Sequence, residues 1–256
     1  MKVFLVVFVA WSFAVRASAQ SEFDKANELL RTMQSHRLAS RTSEDRDRVG
    51  IEVNLTLPAV GDLLTNAILK SLNANSQPQA EELARRIKAA LQVGPAEPGN
   101  EAEAFVLPFG NSPTPLYVVA YNIAFCAVCT RSWLGAFGRK DGRYSLIAMD
   151  PNFLPNQSIT VVPLMIGGSN EVRFLVYGTL WGDTRNRLNA VAYRFDGHAL
   201  KEVWSRIGLP RGSLEIKART IILSYLVDPR SPQDEKRETY LVTPTSIELQ
   251  KESNTP

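Results

Sequence analysis

Two cysteines close together are the first residues in this chain whose type and spacing could do chemistry. Cys126 and Cys129 are its only cysteines. Thr130 stands where c-type haem attachment requires a histidine, so that cofactor is excluded. A structural zinc ion needs about four ligands, and the two remote histidines, His36 and His198, cannot readily complete such a set. We predict no metal and no cofactor, and we interpret the pair as a disulfide closing a small turn; a catalytic dithiol and two reduced thiols are the alternatives.

The second candidate for chemistry is the segment Trp-Gly-Asp-Thr-Arg-Asn-Arg, which begins at Trp181. Arginine presents a planar donor fork to carboxylates, and a tryptophan ring offers a stacking face. Trp181, Asp183, Arg185 and Arg187 therefore form a predicted ligand site for a carboxylated or sugar-like molecule. The alternative is a polar strand connection with the Trp181 ring against the edge of a sheet.

Signatures of familiar enzymes are missing from the sequence. Gly-Gly-Ser-Asn at 167–170 is a flexible turn and not the G-x-S-x-G motif of hydrolases, and no glycine-rich loop follows a strand and opens a helix. A hydrolase could still act through Asp150 and Asp183 if their carboxyl groups lie about 5 to 9.5 Å apart. Asp141 and Asp196 are explained by their Asp-Gly turns. The missing catalytic set favours a non-enzymatic protein.

The first nineteen residues match an export signal. Lys2 precedes an apolar run from Val3 to Val15, and Ala17-Ser-Ala19 matches a small-residue cleavage site. The run is too short to span a bilayer, which needs about twenty apolar residues, and no second long apolar run follows. We predict cleavage after Ala19, secretion or a periplasmic location, and no membrane span in the mature chain.

The charge of the chain argues against nucleic acid as a partner. Loss of Lys2 and Arg16 with the signal lowers the formal charge from +3 to +1. Basic and acidic residues are interspersed, without the basic stripe that nucleic-acid binders carry. The predicted partner is therefore an unidentified protein, peptide or glycan.

Apolar spacing predicts about three helices before residue 98. The first begins at Ser21, the second runs over about 59–72, and the third follows Ser76 and Pro78 and ends before Gly94-Pro95. Between the first two, residues 36–53 are polar and charged without an apolar period. We interpret that stretch as a linker or a solvated segment.

After residue 99 the sequence favours strands separated by turns rich in Gly, Pro, Asn and Asp. In the strand at 172–181 both alternating sets of side chains are apolar, which is typical of a sheet covered on two sides. Asp196-Gly197 indicates a hairpin with a type I′ turn. The predicted strands are Phe105–Phe109, Leu116–Ala124, Trp133–Gly138, Tyr144–Met149, Ile159–Ile166, Val172–Trp181, Leu188–Phe195, Leu200–Trp204, Leu214–Lys217, Ile221–Val227, Thr239–Thr243 and Ile247–Gln250.

A weak repeat runs through this region. The stretch at 134–147 is similar to that at 189–203, with Asp-Gly at 141–142 and 196–197, and the stretch at 240–249 is a third, degenerate copy. A period of about fifty residues, with about four strands per unit, resembles the blades of β-propellers over about residues 116–250. The chain departs from that pattern in number, because propellers close with at least about four blades and this chain supplies about three.

These patterns combine into one expectation for the molecule. The fold class is mainly β with an N-terminal helical segment and antiparallel β-meander repeats, in a propeller-like, sandwich or barrel arrangement. The domains are a signal peptide (1–19), a helical region with a charged linker (20–98) and a β-repeat domain (99–256). The predicted function is an exported, non-enzymatic binding or scaffolding protein. The alternatives are an exported hydrolase using turn carboxylates and a thiol–disulfide protein using Cys126 and Cys129.

Overall fold

Three helices are followed by twelve strands. The computed structural model describes residues 2–39, 42–74, 78–94, 102–109, 115–124, 130–150, 153, 158–164, 172–181, 186–231 and 233–255. Of these, residues 2–20, 46, 124, 130, 181, 254 and 255 are described by their backbone alone. The helices are α1 (Lys2–Ala39), α2 (Ser43–Ala74) and α3 (Ala80–Leu91). The strands are β1 (Ala104–Phe109), β2 (Leu116–Ala124), β3 (Thr130–Lys140), β4 (Arg143–Met149), β5 (Thr160–Pro163), β6 (Val172–Trp181), β7 (Asn186–Phe195), β8 (Leu200–Pro210), β9 (Ser213–Lys217), β10 (Thr220–Leu226), β11 (Glu235–Val242) and β12 (Ile247–Thr255). All twelve predicted strands are confirmed; the bounds agree for β2 and β6, and the others differ at one or both ends.

The strands form three open sheets of four strands each, which we name sheet A (β1–β4), sheet B (β5–β8) and sheet C (β9–β12). Strands that follow one another in the chain are neighbours in each sheet and run antiparallel. Short turns can join antiparallel strands, whereas parallel strands need a longer crossover. This arrangement confirms a mainly β fold with an N-terminal helical segment and antiparallel meanders. Among the described strands no sheet closes into a barrel and no ring of sheets is formed.

The elements pack in successive layers. Helix α1 packs on α2 and α3, and these two helices pack on sheet A. The other face of sheet A packs on sheet B, and the far face of sheet B packs on sheet C. Three hydrophobic clusters lie between the layers, so the helical region and the β-repeats share one continuous stack.

Strand β2 shows how alternation builds the first two layers. Successive side chains of a strand point to opposite faces of its sheet. Val119 and Tyr121 are buried against the helices, whereas Val118 and Ala120 are buried against sheet B. One strand thus contributes to both hydrophobic clusters.

Sheet B is covered on both faces, as the composition of β6 predicts. Phe174 and Val176 pack toward sheet A, and Leu175 between them packs toward sheet C. All three side chains are buried. An apolar set on both faces is stable only when both faces are covered, and sheet B meets that condition as the middle sheet.

The internal repeat corresponds to the same hairpin in each sheet. Residues 134–147 lie in the β3–β4 hairpin of sheet A, residues 189–203 in the β7–β8 hairpin of sheet B, and residues 240–249 in the β11–β12 hairpin of sheet C. Each hairpin contains the third and fourth strands of its sheet. The prediction of about three units with about four strands each is therefore confirmed.

The two Asp-Gly turns differ from each other. Asp141 and Gly142 both have positive φ, 51° and 80°, as a type I′ turn requires. At the other site only Gly197 has a positive φ, 98°, so the predicted type I′ turn at Asp196-Gly197 is wrong. The Asp196 carboxylate instead accepts the backbone N–H groups of His198 and Ala199 at 3.0 and 2.9 Å. These bonds stabilise a wider loop.

The interpretation of residues 36–53 as a linker is also wrong, whereas most of their described side chains are exposed, as expected for a solvated segment. Helix α1 continues to Ala39 and α2 begins at Ser43. Thr42 and Asp45 cap α2 reciprocally, with N···O distances of 3.0 and 3.3 Å. Val49 and Val53 are buried against the helical layer and begin an apolar stripe on α2. The charged run at 41–48, directly before Val49, hides this short stripe.

Bulges interrupt the exposed edge of sheet B. The register of β7 and β8 shifts twice, which leaves extra residues in β8. At the shift between Leu188 and Ala190 of β7, Gly208 of β8 has φ of +73°, and its N–H donates to the Asn189 side chain at 2.8 Å. Bulged edges are poor templates for pairing with another strand, so β8 is protected from edge-to-edge association.

Gly135 is required by an aromatic ring that lies on it. The Trp133 ring stacks on Tyr121, with centroids 5.1 Å apart, and continues over Gly135. A Cβ atom at position 135 would lie 2.3 Å from the Trp133 ring. Only glycine allows this approach without displacing the stack between sheet A and α2.

We predict that Gly135→Ala lowers the free energy of unfolding by about 1 to 3 kcal/mol, because the added methyl group overpacks the aromatic stack. The matched control is Gly50→Ala in helix α2, where an added Cβ meets nothing within 4 Å. That substitution should raise the free energy of unfolding by about 0.5 to 1 kcal/mol. Urea denaturation followed by circular dichroism measures both. Equal changes in the free energy of unfolding for the two substitutions would contradict the close approach of the Trp133 ring to Gly135.

Two buried tyrosines provide a second stability test. Tyr121 is 0% exposed, and its hydroxyl has no hydrogen-bond partner in the described part of the chain. The Tyr193 hydroxyl, in contrast, donates to Asp150 at 2.6 Å. Burial raises the pKa of both tyrosines well above the ordinary value, so both hydroxyls stay protonated.

We expect Tyr121→Phe to leave the free energy of unfolding unchanged or to raise it by about 1 kcal/mol, because it removes an unsatisfied buried hydroxyl. Tyr193→Phe should lower it by about 1.5 to 3 kcal/mol, because it removes a hydrogen bond to a carboxylate. Chemical denaturation at neutral pH compares the two variants. A larger loss of free energy of unfolding in Tyr121→Phe than in Tyr193→Phe would contradict the different hydrogen bonding of the two hydroxyls.

Candidate functional site

The predicted ligand residues lie around the connection between β6 and β7. Trp181 is the last residue of β6 and pairs with Asn186, and Arg187 follows in β7 as an exposed residue. Asp183 and Arg185 lie outside the described residues. The structure thus places two of the four positions on neighbouring strands of one hairpin.

The strand register assigns these two positions to different faces of sheet B. Residues directly opposite each other in an antiparallel pair share a face, and Arg187 is opposite Leu180. Trp181 is opposite Asn186, the neighbour of Arg187, so positions 181 and 187 belong to opposite faces. A ligand that contacts both positions has to reach around the end of the hairpin.

The two connections with predicted chemistry leave from the same end of sheets A and B. The Ile159 N–H donates to the Glu103 carboxylate, so β1 and β5 begin side by side. Their other ends are also adjacent, because Phe109 at the end of β1 lies 6.2 Å, ring to ring, from Phe174 of β6, which pairs with Pro163 at the end of β5. The register then places the ends of β2 and β6, and with them the starts of β3 and β7, at the end where β1 and β5 begin. Cys126 and Cys129, between β2 and β3, lie outside the described residues, so their disulfide stays a prediction.

The acids named for a hydrolase have structural contacts where they are described. Asp150 follows β4 and accepts the Tyr193 hydroxyl across the interface of sheets A and B. Asp183 lies outside the described residues, so the carboxyl pair stays a prediction. Lys201 and two backbone N–H groups hold the pKa of Asp196 well below its usual range, and this exposed carboxylate stabilises its loop.

A buried carboxylate that sequence reasoning missed lies between sheets B and C. Glu238 of β11 is 0% exposed. Arg206 of β8 donates to both carboxylate oxygens, with Nε 3.1 Å from Oε2. The Tyr240 and Tyr225 hydroxyls donate at 2.7 and 2.9 Å, and the Lys236 ammonium lies 3.2 Å from Oε1. We call these five residues the Glu238 cluster.

The Glu238 cluster has a structural role. Burial alone would raise the pKa of the Glu238 carboxyl, but the hydrogen bonds from Tyr240, Arg206, Tyr225 and Lys236 lower it to about 2. Five donor contacts also fill the acceptor capacity of the two oxygens. A carboxylate in this state is a poor general base near neutral pH. It links sheet B to sheet C.

One sequence signal could have located this cluster. In β11 Lys236, Glu238, Tyr240 and Val242 alternate with exposed residues, so a glutamate stands within the inward set of a strand that ends in apolar residues. A charge at such a position requires a partner. The strand sequence does not say that the partner is Arg206, in another sheet.

Two cavities open in the helical layers. One, of about 330 Å³, is lined by residues of α1 and α2 and holds a hydrogen bond between His36 Nδ1 and Glu52 Oε1, which are 2.8 Å apart. The other, of about 360 Å³, lies between α1 and α3, where Arg85 pairs with Glu82 at 2.7 Å. The charged side chains of both cavities have partners within the protein.

Neither a metal site nor a membrane-spanning helix is found among the described residues. No three His, Cys, Asp or Glu side chains in that part of the chain are grouped so as to hold a metal ion. No described helix combines the length and the apolar character that a bilayer crossing needs. Comparison with protein-family models, with curated proteins and with solved structures finds no match to this chain.

We predict that Glu238→Gln lowers the free energy of unfolding at pH 7 by about 3 kcal/mol, from the shift of the Glu238 pKa to about 2. The folded-state pKa is depressed, so this contribution is present above the ordinary value of 4.5 and is lost as the pH falls toward 2. Denaturation of both proteins across that range should show their difference shrinking. The exposed control Glu28→Gln should change the free energy of unfolding at pH 7 by less than about 0.5 kcal/mol. A difference for Glu238→Gln that stays constant with pH would contradict the assignment.

Proposed function

We propose that this chain is an exported, non-enzymatic binding or scaffolding protein that acts in the periplasm or outside the cell. The observation that carries the proposal is that the buried polar side chains are engaged in hydrogen bonds within the protein. The five that the structure describes as buried, Ser71, Asn122, Arg173, Asn189 and Glu238, all make hydrogen bonds within the stack. Ser71 links α2 to α3, and Arg173 and Glu238 link sheet B to sheet C, whereas Asn122 and Asn189 bond within their own sheets. Polar groups engaged in this way have structural roles.

Export fits the way in which α1 enters the core. The first described core residue of α1 is Phe23, and Ala26 follows one turn later. Cleavage after Ala19 leaves both residues in the mature chain. Ser21 and Glu22 would then lie in the first turn of the mature helix, where a cap and a negative charge are favourable.

The three meanders are proposed to be blade-like units in an open stack. Each has four antiparallel strands, and adjacent sheets pack face to face. Such a stack serves as a rigid support whose strand connections carry the binding residues, since loops on a rigid scaffold are the usual location of binding sites. The shared end of sheets A and B, with the β6–β7 connection, is the proposed position for an unidentified protein, peptide or glycan ligand.

We expect simultaneous alanine substitution of Trp181, Asp183, Arg185 and Arg187 to abolish binding, because it removes the stacking face and the carboxylate-binding forks. Labelled protein is tested against a glycan array, a peptide library and envelope extracts. The matched control replaces Lys140 and Arg143, exposed residues at the other end of sheet A, and should bind as the unmodified protein does. Unchanged binding by the fourfold variant would refute this site.

A further inference from the structure

The face of sheet C that is turned away from sheet B is uncovered in the described stack. Along β11 the inward residues Glu238, Tyr240 and Val242 are buried, while Arg237 and Leu241 on the opposite face are exposed and Thr239 is half-buried. Strand β9 alternates in the same way. We call this face the outer face of sheet C. Its exposed and half-buried residues are Ser213, Glu215, Lys217, Thr220, Ile222, Ser224, Glu235, Arg237, Thr239, Leu241, Glu248, Lys251 and Ser253, and Leu226 at the end of β10 is buried.

The charges of this face form a pattern across the sheet. Strands β9 and β12 are its two edges. The register places Lys217 on β9 in the same row as Glu248 on β12, with Leu241 between them. In the next row Glu215 on β9 lies level with Lys251 on β12. In these two rows the two edges therefore carry opposite charges.

This pattern is complementary to itself under one symmetry operation. A two-fold axis parallel to the strands would lay β9 of one copy on β12 of the other, with the rows kept level. Lys217 then faces Glu248 of the second copy, and Glu215 faces its Lys251. Symmetry repeats both contacts, as in any isologous interface. A two-fold axis in the plane of the interface but perpendicular to the strands would lay β9 on β9 and β12 on β12 of the second copy. These contacts would then be lost.

The middle of the same face supplies apolar contact. Leu241 is 37% exposed. Under the axis parallel to the strands it would lie over Thr220 of the second copy, and Ile222 would lie over Thr239. Face-to-face packing of two sheets at about 10 Å leaves room for one layer of such side chains, with the long charged residues reaching across at the flanks.

We propose that the outer face of sheet C binds a second copy of this chain, forming a two-fold dimer with the helices at its two far ends. Four strands about 4.8 Å apart and about 24 Å long give a total buried area of roughly 900 Å². An interface of this size belongs to weak, reversible association. The dimer therefore forms in a concentration-dependent way and weakens in high salt.

Sedimentation equilibrium of protein expressed from the full-length sequence tests the proposal. The average mass of the unmodified protein should rise from monomer toward dimer with concentration. Lys217→Glu places like charges at two symmetric contacts and should raise the dimer dissociation constant by about tenfold. A protein that stays monomeric, or a dissociation constant that Lys217→Glu leaves unchanged, overturns the proposal.

A charge swap distinguishes this interface from general charge effects. Glu248→Lys added to Lys217→Glu should restore the original dissociation constant. Within one chain β9 and β12 are about 14 Å apart, three strand spacings, so the restored pair has to form between two chains. The ion pair of Lys217 with Glu215, 2.8 Å long, is lost in both variants and cannot explain a difference between them.

The matched control adds Glu28→Lys, on the exposed surface of α1, to Lys217→Glu. It restores the same net charge far from the interface and should leave the dimer weak. Equal restoration by Glu28→Lys and Glu248→Lys, or no restoration by Glu248→Lys, overturns the proposal. Thermal unfolding of each variant establishes that a change in mass does not reflect unfolding.

Discussion

The two-sided apolar character of its strands is the constraint on which this structure depends. A strand with one apolar face needs one partner layer, but β2 and β6 carry apolar side chains on both faces and need two. Sheet A meets this need between the helices and sheet B, and sheet B meets it between sheets A and C. The helical segment thus belongs to the same packing as the repeats.

Polar contacts fix how these layers lie on one another. Apolar packing between sheets has little directional preference, whereas a hydrogen bond or ion pair at one point fixes the relative position of two sheets. Glu103 and Tyr193 provide such contacts between sheets A and B, and Glu238 with Arg206 provides one between sheets B and C. Binding chemistry in this architecture is therefore proposed for the strand connections and the outer faces, where side chains are not used to join layers.

Sequence patterns located the β region well because each strand carries its own signal. Alternation, β-branched residues and turn residues are local, so twelve strands and the three-fold repeat could be predicted without any knowledge of packing. The failures also have local causes. The charged residues between Arg37 and Arg48 hide the few apolar positions of α2, and an Asp-Gly pair is compatible with both the type I′ turn at Asp141 and the wider loop at Asp196.

By itself the sequence determined the order of elements, the two-sided strands and the residues of the two connections that could carry chemistry. Tertiary structure decided which of those residues share a location, because contacts between distant segments depend on how the sheets stack. It paired Glu238 with Arg206, placed the ends of β2 and β6 at the end where β1 and β5 begin, and assigned positions 181 and 187 to opposite faces. Periodicity within a strand determines which face a side chain occupies, whereas the packing of the layers determines what that face meets.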